Sequence, residues 1–204
     1  RLADISPSHI YNLRKSEDYK LKGPPKKIKP SNRDGIGTRM KPRPLGTPGF
    51  IRVDTVHQAH YKKQKGVYHI NAVDEVTQFQ VVATVERITE EFMLPALEDM
   101  MDQFPMNILN FHSDNGAEFI NHKVADMLND SHVKLTKSRP RRSSDNGLVE
   151  SKNNSAVRRH YGYNHIAPHY ADAINVFNRN HLNPFLNYHK PCHFSETTVD
   201  SKGR

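Results

Sequence analysis

The sequence predicts an α/β fold built on a five-stranded mixed sheet flanked by helices, and three observations predict it. Residues 50 to 57, 67 to 74 and 78 to 86 are rich in Val, Ile, Phe, Tyr and Thr and are separated by short polar turns, the pattern of three successive antiparallel strands. Met93, Leu97, Met100, Met101 and Phe104 then recur at the spacing of an amphipathic helix. A strand over 107 to 111, a helix over about 117 to 129 and a strand over 132 to 136 complete the alternation.

Taken in order, the elements carry further information. Ser6-Pro7 reads as an N-cap with proline at the first helical position, opening a helix through about Lys15. Two readings of it stand open. It is an isolated amphipathic helix, or it is the recognition helix of a partial helix-turn-helix offering Ser8, His9, Asn12 and Arg14 to base edges. The second makes residues 1 to 19 the remnant of a DNA-binding domain, because the chain opens mid-pattern at Arg1-Leu2-Ala3. Residues 20 to 49 hold Pro24, Pro25, Pro30, Pro42, Pro44 and Pro48 among many Lys and Arg, without apolar periodicity. They form a basic, Pro-rich linker that either tracks a DNA backbone or is disordered.

Asp54 falls inside the first strand of the core, residues 50 to 165, where a charge is costly to bury unless it is paired or metal-bound. Asp74 ends the second strand and reads as a turn residue. Pro95 sits in the first turns of its helix or kinks it. Asp114 leaves the fourth strand, where α/β folds place their chemistry. The segment from Lys137 to Asn146 contains no large apolar residue and carries Lys137, Arg139, Arg141 and Arg142, so it reads as a mobile loop that orders on DNA. Asp145 or Asn146 then caps a helix to about His160, with Glu150 near its start, Asn153 and Asn154 on the same face, and Arg158 two turns on. Tyr170, Ile174, Phe177 and His181 mark a last helix. Residues 166 to 204 are expected to pack on the core as a helical extension.

Composition narrows the function. The net charge is +8, and its distribution says more than its total. Residues 1 to 50 carry 12 Lys/Arg against 4 Asp/Glu, residues 51 to 136 carry 7 against 13, and residues 137 to 165 carry 7 against 2. An acidic core suited to cations is flanked by basic segments suited to phosphates. The lone Cys192 excludes an internal disulfide and any multi-Cys zinc site. None of the 13 His residues stands at the spacing of a zinc finger or an HExxH helix, and His112 reads as structural. No apolar run approaches the roughly eighteen residues of a membrane span and no secretory signal is visible, so a soluble cytoplasmic protein without a membrane partner is expected.

Asp54, Asp114 and Glu150 together suggest phosphoryl transfer. Unit charges about 4 Å apart repel by roughly 4 kcal/mol at an effective dielectric of 20, so three clustered carboxylates call for cations. Magnesium or manganese, hard ions that take carboxylate and water oxygens, are the expected cofactors, as two ions.

Three strings carry a resemblance: Val-Asp-Thr-Val-His at 53 to 57, Ser-Asp-Asn-Gly-Ala-Glu-Phe at 113 to 119, and Asp-Asn-Gly-Leu-Val-Glu-Ser-Lys-Asn at 145 to 153. In this order and spacing they resemble the catalytic core shared by retroviral integrases and bacterial insertion-sequence transposases, over about residues 50 to 165. Residues 66 to 78 and 182 to 192 extend the likeness toward the transposases. The resemblance implies a ribonuclease-H-like fold and a polynucleotidyl transferase that nicks element ends and joins the freed 3′-hydroxyl to target DNA. It implies Asp54, Asp114 and Glu150 as catalytic metal ligands and Asn153 as a DNA-positioning residue. Lys137, Arg139, Arg141, Arg142, Lys152, Arg158 and Arg159 are the remaining expected DNA contacts. It further implies a homo-oligomer on DNA, handling element ends and target, in a bacterial, nucleoid-associated protein. Two rival readings keep the same residues: a catalytically inactive DNA-binding remnant or regulator, and a structure-selective nuclease.

Overall fold

Ser6 accepts a hydrogen bond from the His9 amide at 3.2 Å and Pro7 occupies the first turn, so helix α1 (Pro7–Leu13) begins where its cap dictates. A second short helix, α2 (Glu17–Lys22), follows. The computed structural model describes residues 6–22 and 35–190. It divides into two units, Arg1–Asp34 and Gly35–Arg204, each taken by itself. The expected linker segment 23 to 34, and the chain after residue 190, lie outside the described residues.

The second unit is built on a mixed sheet. Its strands are β1 (Thr38–Arg39), β2 (Phe50–His57), β5 (Tyr68–Asp74), β6 (Gln80–Val85), β7 (Asn110–Ser113) and β8 (Lys134–Lys137), in the order β1-β8-β7-β2-β5-β6. The intervening β3 (His60–Tyr61) and β4 (Gln64–Lys65) form a separate hairpin. Strands β2, β5 and β6 make the expected antiparallel meander, whereas β7, β8 and β1 run parallel to β2. The sixth strand, β1, lies in the stretch expected to be linker. Residues 38 and 39 pair with Thr136 and Lys137, and Ile36 is buried in the core. Two paired residues leave no periodicity for a sequence pattern to reveal.

Helices cover both faces. Against one face lie α3 (Glu90–Asp102), through Met93, Leu97 and Met100, and α4 (His122–Asp130), through Val124 and Leu128. They meet Val53, Ile70, Ala72, Val81, Ala83 and Phe111 of the sheet. Asn121 caps α4 by accepting from the Val124 amide at 2.9 Å, so that helix starts later than the apolar pattern suggests. Against the other face runs a continuous helical stretch made of α5 (Gly147–Lys152), a π-helical segment Asn153–Arg158 and α6 (Arg159–Tyr161). The last helix, α7 (Ala171–Phe177), passes into π-helical turns at Asn178–Leu182 and Phe185–His189. Val56, Val82, Ala156, Val157, Leu182 and Leu186 form the apolar part of this second layer.

Two local devices hold the sheet in register. Gly49 adopts φ +103°, and a Cβ there would lie 2.3 Å from the Asn107 carbonyl oxygen, so only glycine lets the chain enter β2 beside the start of β7. At the far edge, the outward backbone groups of β6 are met by side-chain amides. Asn187, Asn183 and Asn175 each both accept from the N–H and donate to the C=O of one residue, respectively Gln80 (2.8 and 2.7 Å), Val82 (2.9 and 3.3 Å) and Thr84 (2.7 and 2.7 Å). Three asparagines thus take the place of a neighbouring strand and close an edge that would otherwise be open to pairing. Four residues, from 183 to 187, rise about 6 Å in a regular helix, close to the two-residue step of a strand, which suits Asn183 and Asn187 to Val82 and Gln80; the eight residues back to Asn175 do not follow this step.

Candidate active site

Strands β2 and β7 run parallel with Val53 paired to Ser113, so Asp54 and Asp114 are the next residues on neighbouring strands, about 4.8 Å apart in strand spacing. This parallel register, which nothing local in either string specifies, brings the two aspartates together. Asp54 is half-buried. Its Oδ1 accepts from the Thr55 amide at 2.9 Å and its Oδ2 from Asn153 Nδ2 at 2.7 Å. Asp114 is exposed and accepts from the Gly116 amide at 2.7 Å, an Asx turn that fixes its carboxylate against the following loop.

Glu150 reaches the same end of the sheet from α5. Asn146 Nδ2 donates to the Val53 carbonyl at 3.1 Å, pinning the helix start to the strand residue just before Asp54. The Glu150 side chain is exposed. Burial pushes the Asp54 carboxyl above its ordinary range; the Thr55 and Asn153 hydrogen bonds oppose this, and the charges of Asp114 and Glu150 add to it. The three acids therefore feel one another. They do not close on a common point, for among the described residues no three acidic, His or Cys side chains form a group able to enclose a metal ion. Asp114 and Glu150 are both exposed, and the charge of each acts unfavourably on ionised Asp54. No ion pair among the described residues neutralises any of the three, and hard carboxylate oxygens are the donor set that magnesium or manganese prefers. The residues fit such an ion in chemistry, with Glu150 the member that has to move.

Sequence reasoning missed the support behind Asp54. Asn153 Oδ1 accepts from Asn71 Nδ2 at 2.8 Å, and Asn71 Oδ1 accepts from Gln80 Nε2 at 2.6 Å. A chain of three amides therefore runs from the carboxylate across the sheet to β6. Its polarity is forced: Asp54 as a carboxylate only accepts, so Asn153 must present its NH₂ there and its oxygen to Asn71, and so on outward. Register explains the path, since Asn71 lies opposite Asp54, and Gln80 is its diagonal neighbour on β6. Glu118 is a further acid near the site, accepting from Thr55 Oγ1 at 3.4 Å.

The expected DNA contacts divide. Lys137 is fully buried within β8 and does not present its ammonium to a phosphate at the surface. Arg139 donates through Nε and Nη2 to the two Asp145 oxygens, both at 2.8 Å, and its backbone N–H donates to the same carboxylate. That pair holds Asp145, fully buried, far below the usual carboxylate range. The loop expected to be mobile is instead clasped by polar bonds, the one kind of anchor that an absence of apolar residues does not exclude. Arg158 also turns inward, donating to Gln58 Oε1 at 2.5 Å and to the His57 carbonyl at 2.9 Å, with its guanidinium 5.0 Å from the Tyr163 ring. The face shared with Glu150 was drawn on regular α-helical spacing; the π-helical turns after Lys152 wind the chain differently and carry Arg158 onto the sheet. Arg141, Arg142 and Arg159 are exposed and Lys152 is half-exposed.

Three histidines are packed inside the fold, with His57 Nε2 and His69 Nε2 buried and without a hydrogen-bond partner among the described residues. His112 bonds Thr136 Oγ1 at 2.9 Å and Ser138 Oγ at 3.2 Å, and burial, aided by Arg52, pushes it down to about 4. His69 bonds Thr84 Oγ1 at 2.9 Å, stacks on Tyr161 and is pushed down to about 3 by burial. Burial likewise lowers His57, which lies against His60 and Tyr68. Asp74, as expected, is a turn residue: it accepts from the amides of Gly49, Phe50, Val76 and Thr77 and from the Thr77 hydroxyl.

Comparison with known proteins follows the same lines. Residues 46–143 match the integrase core domain family, a span that includes Asp54 and Asp114 and stops short of Glu150. The uncharacterized protein y4rM of Sinorhizobium fredii (strain NBRC 101917 / NGR234) is 28% identical over 117 residues, covering 57% of this chain and 33% of that protein. The chain thus spans about one third of the length of the curated relative it matches. Among solved structures, the catalytic core domain of BIV integrase superposes with a TM-score of 0.51 at 14% identity, over 71% of this chain and 87% of that one. The simian T-cell lymphotropic virus intasome in complex with PP2A regulatory subunit B56 gamma gives 0.52 at 16% identity, over 98% and 74%. Residues 46–143 thus match the integrase core domain family, and the chain shares the ribonuclease-H-like fold of a retroviral integrase catalytic core.

Proposed function

We propose that this protein is an insertion-sequence transposase of the acidic-triad class, a polynucleotidyl transferase that cleaves phosphodiester bonds at element ends and transfers the freed strand into target DNA. One observation carries the reading: Asp54, within β2, stands at the register position next to Asp114, the residue that follows β7, with Asn146 and Asn153 tying the helix of Glu150 to the same point.

In this reading Asp54, Asp114 and Glu150 hold Mg²⁺ or Mn²⁺, as two ions. When bound, such ions stabilise the attacking and leaving oxygens of an in-line displacement at phosphorus. Asn153 keeps the Asp54 carboxylate oriented. Arg141, Arg142, Lys152 and Arg159 are left to hold the DNA backbone. In the N-terminal unit, α1 exposes Ser8, His9, Asn12 and Arg14 for base edges, as the second half of a helix-turn-helix. The active species is a homo-oligomer on DNA, acting in the bacterial cytoplasm at the nucleoid. Among the described residues no helix is long and apolar enough to cross a membrane.

The test is Glu150→Gln, which removes a charge and keeps shape. It is expected to abolish cleavage and strand transfer of labelled DNA in manganese while duplex binding persists. Undiminished cleavage overturns the assignment, and cleavage without joined product in the unaltered protein makes it a nuclease instead.

A further inference from the structure

A second cationic site lies on the other side of the amide chain. A cleft of about 90 Å³ opens between the turn joining β5 to β6 and the end of the last helical segment, lined by Lys152 and Lys190, by the polar Thr77, Gln78, Gln80 and Asn187, and by the apolar Phe79 and Leu186; Arg159 lies outside this lining. Lys190 Nζ donates to the Ser155 carbonyl at 3.3 Å, so the lysine is held on the helical stretch that carries Glu150. Burial and the nearby charges of Lys152 and Arg159 all lower the pKa of its ammonium. Among the described residues no carboxylate pairs with any of the three cations.

Two lysines in one cleft, with Arg159 near and no acid paired to them, concentrate positive charge that attracts an anion. The cleft is far smaller than the roughly 300 Å³ at which small-molecule pockets begin, a size suited to one tetrahedral oxyanion. Thr77, Gln78 and Asn187 are its neutral polar walls; the Thr77 hydroxyl already donates to Asp74 and the Asn187 amide to Gln80 and Asn183, which leaves the two lysines as the groups that would hold the anion. Its place in the fold indicates the source of that oxyanion. Gln80 both lines the cleft and ends the amide chain from Asp54, and Lys152 is two residues from Glu150.

We propose that Lys190, with Lys152 and Arg159, forms a phosphate subsite that grips a backbone phosphodiester of the DNA strand lying across the acidic site. The subsite is separate from the 137 to 146 loop, and Lys190 comes from a segment with no part in the triad. This inference rests on the proposed DNA-processing function and assigns one of its contacts.

Counterion release gives a readout specific to phosphate contacts, since each one contributes about −0.9 to the slope of log affinity against log salt concentration. Binding of a random-sequence duplex is measured for the unaltered chain, Lys190→Gln, Lys190→Arg and the remote control Lys134→Gln, whose residue begins β8 at the end away from Asp114. The slope is expected to shallow by about 0.9 in Lys190→Gln, to be restored in Lys190→Arg and to be unchanged in Lys134→Gln. An unchanged slope in Lys190→Gln overturns the subsite, as does an equal loss in the control. Parallel titration with inorganic phosphate separates the sources: saturable phosphate binding abolished by Lys190→Gln while the DNA slope stays constant overturns the DNA assignment. A flat salt dependence in the unaltered chain sinks the proposed function itself.

Discussion

The two ends of the amide chain through Asn153, Asn71 and Gln80 are satisfied in opposite ways. At the β6 edge every outward backbone group of Gln80, Val82 and Thr84 has a partner in Asn187, Asn183 or Asn175. At the Asp54 end, three carboxylates gather with no cation paired to them among the described residues, and burial and mutual repulsion raise the pKa of Asp54. The difference shows how a fold sustains an electrostatically unsatisfied site: its scaffold hydrogen bonds are made redundantly elsewhere, so that strain at the carboxylates is not relieved by moving the strands.

Acid is the strongest way to break the scaffold side. His69 and His112 stay neutral when folded, at about 3 and about 4, whereas an unfolded His takes its proton near 6.5. Below pH 6.5 the unfolded state binds more protons, so stability falls as pH falls, by about 1.4 kcal/mol per pH unit for each ring, down to about pH 4 for His112 and pH 3 for His69. Urea melts from pH 7.5 to 4.5 are expected to show that decline; constant stability across the range would mean the rings are protonated in place.

Removing one rung of the edge is smaller. Asn183→Ala leaves the Val82 N–H and C=O without their partner and is expected to cost about 1–3 kcal/mol, read as a lower urea midpoint, with new concentration-dependent association through the opened edge. A variant of unchanged stability would show that water replaces the amide.

Asn71→Leu probes the link between the two ends. It cuts the chain at its middle while matching the volume, so a modest stability loss is expected together with a fall in kcat at constant KM, because Asn153 is then free to present its oxygen to Asp54. Equal loss in kcat and stability-matched core variants would reduce Asn71 to packing. The smallest effect is expected from Asp145→Asn, which weakens the Arg139 clasp: faster proteolysis within residues 138 to 146, with the core melting little changed.

Much of this arrangement was legible from residues alone. The apolar run at 50 to 57 is strand β2 residue for residue, and the stripe from Met93 buries Met93, Leu97 and Met100 as drawn. Asn71, by contrast, drew no notice: a polar residue on a strand face ordinarily means solvent, whereas here the helical layer covers that face and His69 and Asn71 are fully buried. Arg139 and Arg158, expected to face DNA, are engaged within the chain for one reason. A cation's partner is set by tertiary placement, and neither Asp145 beneath the loop nor the π-helical turn before Arg158 leaves a mark in local spacing. Glu150 was singled out through its string, whereas its exposure depends on how α5 sits on the sheet, which no string encodes.

The most direct measurement is a calorimetric manganese titration of this protein beside its Asp114→Asn variant, since it requires no knowledge of the element ends. The account predicts saturable binding to the unaltered chain that disappears in the variant, because a carboxylate set missing the aspartate beside Asp54 cannot hold the ion. Equal binding by both proteins, or none by either, would contradict it.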